Sequence, residues 1–301
     1  MKKYALIAGV VAALTSSQAF SDQFYIDTGV DFDAGDNADV AVNQNTTGWI
    51  DALVYEYTSS STVGCSPVAL AGGATCAINS TGGIDVSSLS SFFATYPSNT
   101  VTALTPQEVN GNIFTPDANS NNGYGNDNWQ LAFNFELDGT VSDVGGTLVS
   151  DFTSGSITFY YFDQARIAAA TLASSISDIV TELFTIDVDS TRNVLGQGQF
   201  LNGEITSVGG GDVNGVAAGD VFNFAEGSFG ALLGKDVSIS SFVDYNTDPI
   251  DTAGVDPFAS SFNIGGEHEG SISFAVAEPS VIALMGLGLL GLAGASRRRK
   301  F

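Results

Sequence analysis

Residues 31 to 39 read DFDAGDNAD and place Asp31, Asp33, Asp36, Asn37 and Asp39 in one short stretch. Calcium takes about six to eight oxygen ligands from carboxylates, carbonyls and water, so this crowding makes Asp31, Asp33, Asp36 and Asp39 a candidate Ca2+ set. It is not an EF-hand loop, because the glycine falls at the fifth place as Gly35 and the twelfth place is Val42, not Glu. A second acidic loop, DYNTDPIDTAGVD, carries Asp244, Asp248, Asp251 and Asp256 without a set spacing. Both stretches also suit solvated turns, since Asp and Asn side chains hydrogen-bond their own backbone. Ca2+ is the one cofactor these residues suggest, and no other is expected.

Imidazole chemistry has little material. His268, between Glu267 and Glu269, is the single histidine, which excludes His-pair zinc sites. A Ser or Cys nucleophile would depend on that one ring, and no G-x-S-x-G elbow accompanies it; His268 reads as a solvated loop residue. Glycoside hydrolysis needs only two carboxyl groups at a set separation. Acids are plentiful but form no distinctive motif, so a secreted carboxylate-dependent glycoside hydrolase is an alternative and the expectation is a chain that is not an enzyme. Tyr124 and Tyr245, each in a polar loop, are candidate platforms for sugar stacking.

The elements that must position these groups are strands. In WQLAFNFEL, Trp129, Leu131, Phe133, Phe135 and Leu137 alternate with Gln130, Ala132, Asn134 and Glu136, so one face packs and the other meets water. The same period recurs at Ile157, Phe159 and Tyr161, at Phe184, Ile186 and Val188, and at Ile272, Phe274 and Val276; WIDALVYEYT and VSISSFV are further strands. Asn110-Gly111, Asn122-Gly123, Asn202-Gly203 and Asn214-Gly215 suit turns that need positive φ, and ANSNNGYGNDN reads as a long polar loop. Helix is minor: a short one from Ala165, and one or two turns after the capping-box pattern Thr105-Pro106-Gln107-Glu108. Many short strands with such turns predict an all-β fold, an antiparallel β-sandwich with long Asn/Gly/Asp-rich loops, over residues 20–276.

Charge is distributed unevenly. The chain has 9 Lys and Arg against 33 Asp and Glu, and six of the nine bases are Lys2, Lys3, Arg297, Arg298, Arg299 and Lys300. Between the ends only Arg166, Arg192 and Lys235 are basic, so the body repels phosphate backbones and no nucleic-acid partner is expected.

Residues 1–19 join two lysines, an apolar stretch and small residues at Ser17 and Ala19, which reads as a secretory signal peptide with cleavage by signal peptidase after Ala19, or after Ser21 as the alternative. In an exported chain, Cys65 and Cys76 are expected to form a disulfide. At the other end, Glu278-Pro279-Ser280 is followed by an uncharged run, 281–295, and then by Arg297, Arg298, Arg299 and Lys300. Fifteen helical residues rise about 22 Å, short of the roughly 30 Å hydrocarbon core, so the run is a short transmembrane segment whose basic tail stays cytoplasmic.

These last residues, 277–301, resemble the PEP-CTERM sorting signal of Gram-negative bacteria, read by an exosortase-type membrane protease. Ala277 stands where that family has the first proline of Pro-Glu-Pro. The resemblance implies transient inner-membrane insertion, cleavage near Glu278-Pro279 and delivery to the cell surface or extracellular matrix. The stretch from DVFNFAEGSFGALLGKDVSISSFVDYNTDP to HEGSISFAVAEPS is loosely similar to the last strands of flocculation-associated PEP-CTERM proteins. A non-catalytic surface or matrix protein associated with extracellular polysaccharide, in biofilm or flocs, is thus the first expectation. A calcium-assisted polysaccharide-binding module is the second.

Overall fold

The structure, a computed structural model, describes residues 22–33, 39–95, 104–108, 121–125, 128–170, 174–194, 198–225, 227–243 and 255–276. In chain order the strands are β1 (Phe24–Ile26), β2 (Ile50–Val63), β3 (Cys76–Gly83), β4 (Thr105–Glu108), β5 (Trp129–Val144), β6 (Thr147–Asp163) and β7 (Val180–Val194). They continue as β8 (Gly198–Val208), β9 (Asp212–Val213), β10 (Val216–Ala217), β11 (Phe222–Phe224), β12 (Gly227–Ser228), β13 (Asp236–Val243) and β14 (Phe262–Val276). Three short helices, α1 (Pro67–Ala71), α2 (Leu89–Thr95) and α3 (Gln164–Ala169), lie between them.

The all-β antiparallel architecture is the expected one, and its hydrogen bonding adds a feature. Strands run in the order β2, β14, β13, β8, β7, β6, β5, β3, and β3 pairs back onto β2, so the two layers are opposite walls of one closed sheet. Closure leaves few strand edges open to another chain. The alternating apolar residues fill the interior: Phe159 stacks on Phe184 at 4.7 Å and meets Phe274 from the opposite wall at 5.7 Å. Glu136, Asp138, Asp187, Asp189 and Glu204 point outward and are exposed, the reverse of a membrane barrel's lipid-facing band.

Because neighbours are antiparallel throughout, the connections divide between two ends. The connections after β2, β5, β7 and β13 are at one end, which also holds the Cys65–Cys76 disulfide, Cα–Cα 5.7 Å. Those after β3, β6 and β8, and the end of β14, are at the other. That second end is plugged by β1, β11 and the turn Phe229–Leu232: Phe229 lies 4.4 Å from Phe184, 4.6 Å from Phe224 and 5.2 Å from Phe274.

The disulfide closes the β2–β3 connection around α1, whose start is set by Pro67 in the first turn and by the Ser66 side chain accepting from Ala69 N at 3.2 Å. Its reduction is expected to lower unfolding free energy by about 3 kcal/mol, the loop-closure entropy of so short a ring. Urea melts with and without reductant measure this.

Three expectations change. Ala132 does not face water: α2 and the segment after α3 cover the outer face of β5 and β6, burying Ala132, Tyr160 and Phe162 with Ile84, Phe92, Ile179 and Val180 in a second core. The unbroken run Phe159-Tyr160-Tyr161-Phe162 was the available sign of a strand buried on both faces. Thr105–Glu108 is strand β4, not a helix start, because residues 50–54 of β2 offer it a ladder and Pro106 sits opposite Leu53 in a peripheral strand where a missing N–H is tolerated. Asn122-Gly123 and Asn214-Gly215 do have positive φ, but Asn202-Gly203 lies inside β8. Gly203 is there for space, since a Cβ would run into the Asp187 carbonyl.

Candidate functional site

The acidic stretch begins just after β1, in the connection that leads to β2. Asp31 and Asp33 are half-buried, Asp39 is exposed, and Asp36 lies outside the described residues. Asp31 Oδ1 is buried and accepts no hydrogen bond from the described residues. Upstream, burial pushes the Asp27 carboxyl above its ordinary range, partly offset by the hydrogen bond it accepts from Gly29 N at 2.9 Å. Among the described residues no three His, Cys, Asp or Glu side chains converge as a metal site would require. Of the second acidic loop, Asp256 is exposed and caps Phe258 N, while Asp244, Asp248 and Asp251 lie outside the described residues. The strand ends that flank this second loop are at the disulfide end, opposite the first loop, so the two do not form one site.

What holds the first loop is a residue that the polar-loop reading missed. Asn122 is fully buried, with φ 45°, and its Nδ2 donates to Thr28 Oγ1 at 2.7 Å, Asn45 O at 2.9 Å and Val30 O at 3.0 Å. Its Oδ1 accepts from Phe32 N at 2.9 Å, and its carbonyl accepts from Trp129 Nε1 at 2.8 Å. One residue thus ties Thr28, Val30, Phe32 and Asn45 to the start of β5. Tyr124 is buried as well, donating to Leu104 O at 3.1 Å and packing edge-on against Trp129, which corrects its reading as an exposed platform. An Asn-Gly turn beside Tyr and Trp was the signal, because large aromatics seldom stay in solvent.

Tyr245 and Ala19 lie outside the described residues, as do all of 277–301, with Glu278, Pro279, Ser280, Arg297, Arg298, Arg299 and Lys300. His268 is not in a loop: it is a β14 residue in register with Tyr57 of β2. A groove of about 630 Å³ opens beside α3, where Arg166 lies with Tyr160, Thr181, Glu182 and Asp212 around the Gly209–Gly211 corner. Burial raises the Tyr160 phenol above its ordinary range, and its hydroxyl donates to Asn134 Oδ1 at 3.3 Å.

The most specific feature is where the chain leaves the fold. β14 is an interior strand, paired with β2 from Phe262 to Ile272 and with β13 from Gly270 to Val276. Phe274 is fully buried and its carbonyl accepts from Asp22 N at 2.8 Å, so the first described residue and the last strand lie side by side. Residues 275–300 match the family model of the PEP-CTERM protein-sorting motif.

The chain carries a PEP-CTERM sorting motif.

No curated protein and no solved structure matches the chain. The motif marks an exported chain that an exosortase-type membrane protein sorts to the cell surface. The match begins at Ala275, so its first two residues belong to β14 of the packed body. Among the described residues no helix is long and apolar enough to cross a membrane.

Proposed function

We propose that this PEP-CTERM protein is a non-catalytic component of the cell surface or extracellular matrix that associates with exopolysaccharide and contributes to biofilm or floc structure. Signal peptidase removes residues 1–19, the tag holds the chain transiently in the inner membrane, and exosortase cleavage near Glu278-Pro279 releases the body. The observation that carries this reading is the junction: every residue of the last core strand precedes the tripeptide, so cleavage there frees the sheet whole. The exposed carboxylates outside the sheet keep such a body soluble.

Intact-mass analysis of the protein from cell envelope and culture medium of its producing cell tests the route. A released species that starts near Phe20 and ends between Ala277 and Ser280 is the expected result. A species that keeps Arg297 to Lys300 would mean a permanent anchor and remove the matrix role.

Calcium-assisted polysaccharide binding is the second reading, favoured by the buried Asp31 Oδ1 that accepts no hydrogen bond from the described residues. Asp31 and Asp33 would hold a Ca2+ ion that cross-links the 28–45 segment. Millimolar calcium is then expected to raise Tm by several degrees, with the rise lost in Asp31→Asn; an unchanged Tm counts against it.

A further inference from the structure

The junction also orients the body, in an inference that rests on the tag holding the chain in the membrane before processing. Val276 pairs with Val237 at the start of β13, and Asp236 pairs with Glu204 of β8. One step further the ladder continues: Ile205 N donates to Lys235 O at 3.2 Å, Gly234 N donates to Ile205 O at 2.8 Å and Lys235 N donates to Leu232 O at 2.8 Å. The Leu232–Lys235 turn is therefore pinned at the end toward which the tag departs, adjacent to the departing strand. Gly234 has φ +75°, which lets the turn be this tight. The turn presents an apolar and a cationic side chain to solvent: Leu233 is 51% exposed, and Lys235 is exposed beside it.

Exposed apolar residues alone do not choose an end, since Val144 and Phe258 are exposed at the disulfide end. The tether does choose. From Val276 to Val281, where the apolar run begins, the chain spans at most about 18 Å even when fully extended. Each wall is longer: the 14 residues of β2 extend about 46 Å. The disulfide end cannot be brought to the bilayer on so short a lead.

We propose that the Leu232–Lys235 turn is a lipid-contacting tip, with Leu233 seated among the headgroups and Lys235 against lipid phosphates, and that the disulfide end is presented outward. The partner is a bilayer surface with anionic headgroups. Lys235 is one of only three bases in an otherwise acidic body; with Asp236 and Glu204 exposed beside it, the tether and Leu233 bring the turn to the bilayer and Lys235 supplies a single lipid-phosphate contact.

Both native cysteines are paired with each other, so a single introduced cysteine can be labelled alone. The full chain carrying Leu233→Cys or Val144→Cys, each labelled with an environment-sensitive fluorophore, is reconstituted into phosphatidylethanolamine–phosphatidylglycerol vesicles. Blue-shifted emission and severalfold stronger quenching by a lipid-borne quencher at position 233 than at 144 is expected. Lys235→Glu weakens that quenching, and removal of 277–301 abolishes it. A water-like signal at 233 in protein that floats with the vesicles overturns the proposal while leaving the sorting route standing. Failure to float overturns the anchoring and the proposal together, and the mass of the released species then judges the sorting reading separately.

Discussion

A chain ended after Ala277 is expected to melt as the untruncated body does, whereas one ended after Ser271 is expected not to fold. The six residues between those two ends include Ile272 and Phe274, both core residues, and the stretch of β14 that pairs with Val237 to Ser241 of β13. Truncating a buried Ile or Phe to Ala costs about 2 to 5 kcal/mol each, and here backbone and side chain go together. Phe274 also touches Phe24, Phe159, Phe184 and Phe229, so its loss opens the interior and the plug at once. The summed loss approaches the whole stability of an ordinary domain, about 5 to 15 kcal/mol. Circular dichroism melts of the two truncations, with Phe274→Ala as the milder comparison at about 3 to 5 kcal/mol, test this. Equal melting of the two truncated chains would mean that the last strand is dispensable, and the account of the junction would fall with it.

Asn122→Ala is the single substitution expected to cost most for its size, about 3 to 5 kcal/mol. It leaves Thr28 Oγ1, the carbonyls of Val30 and Asn45, and Phe32 N without their shared partner in a buried setting. It also places a Cβ-bearing residue at φ 45° without the local hydrogen bonds that make asparagine tolerant there. Asn122→Gly removes that strain and should recover about 1 kcal/mol, but not the hydrogen bonds. Asn122→Asp keeps the acceptor for Phe32 N, loses both N–H donors and sets a carboxylate oxygen against two carbonyls, so it should be no milder than Ala. Urea unfolding ranks the three variants, and hydrogen exchange should show faster opening at 28–45 in each. A Gly variant as stable as wild type would reduce Asn122 to a turn residue.

The two acidic stretches show how far a local pattern carries. Their composition is equally suggestive, yet the strand ends that flank one are at the disulfide end and the other follows β1 at the tag end. His268 likewise has loop-like neighbours in Gly265-Gly266-Glu267 and Glu269-Gly270, but the pairing of β14 with β2 continues through all of them. Glycine-rich sequence weakens a strand without forbidding it when a long neighbouring strand, here β2, supplies a ladder.

The sequence by itself determined the tag, the disulfide and the strands. A sorting signal is an order of residue types in a terminal segment, acting without the fold, so nothing distant is needed to recognise it. Strand alternation is equally local, and the periodic segments around Phe133, Phe159, Phe184 and Phe274 all became core strands. Only the tertiary structure decided the closure of β3 onto β2, the burial of Ala132 beneath α2, the strand state of Thr105–Glu108 and the role of Asn122. The physical reason is separation along the chain: Asn122 meets Phe32 across 90 positions, and the end from which the tag departs follows from a circuit of eight strands. Polarity favours water for an isolated asparagine, and only four partners fixed by distant backbone reverse that preference.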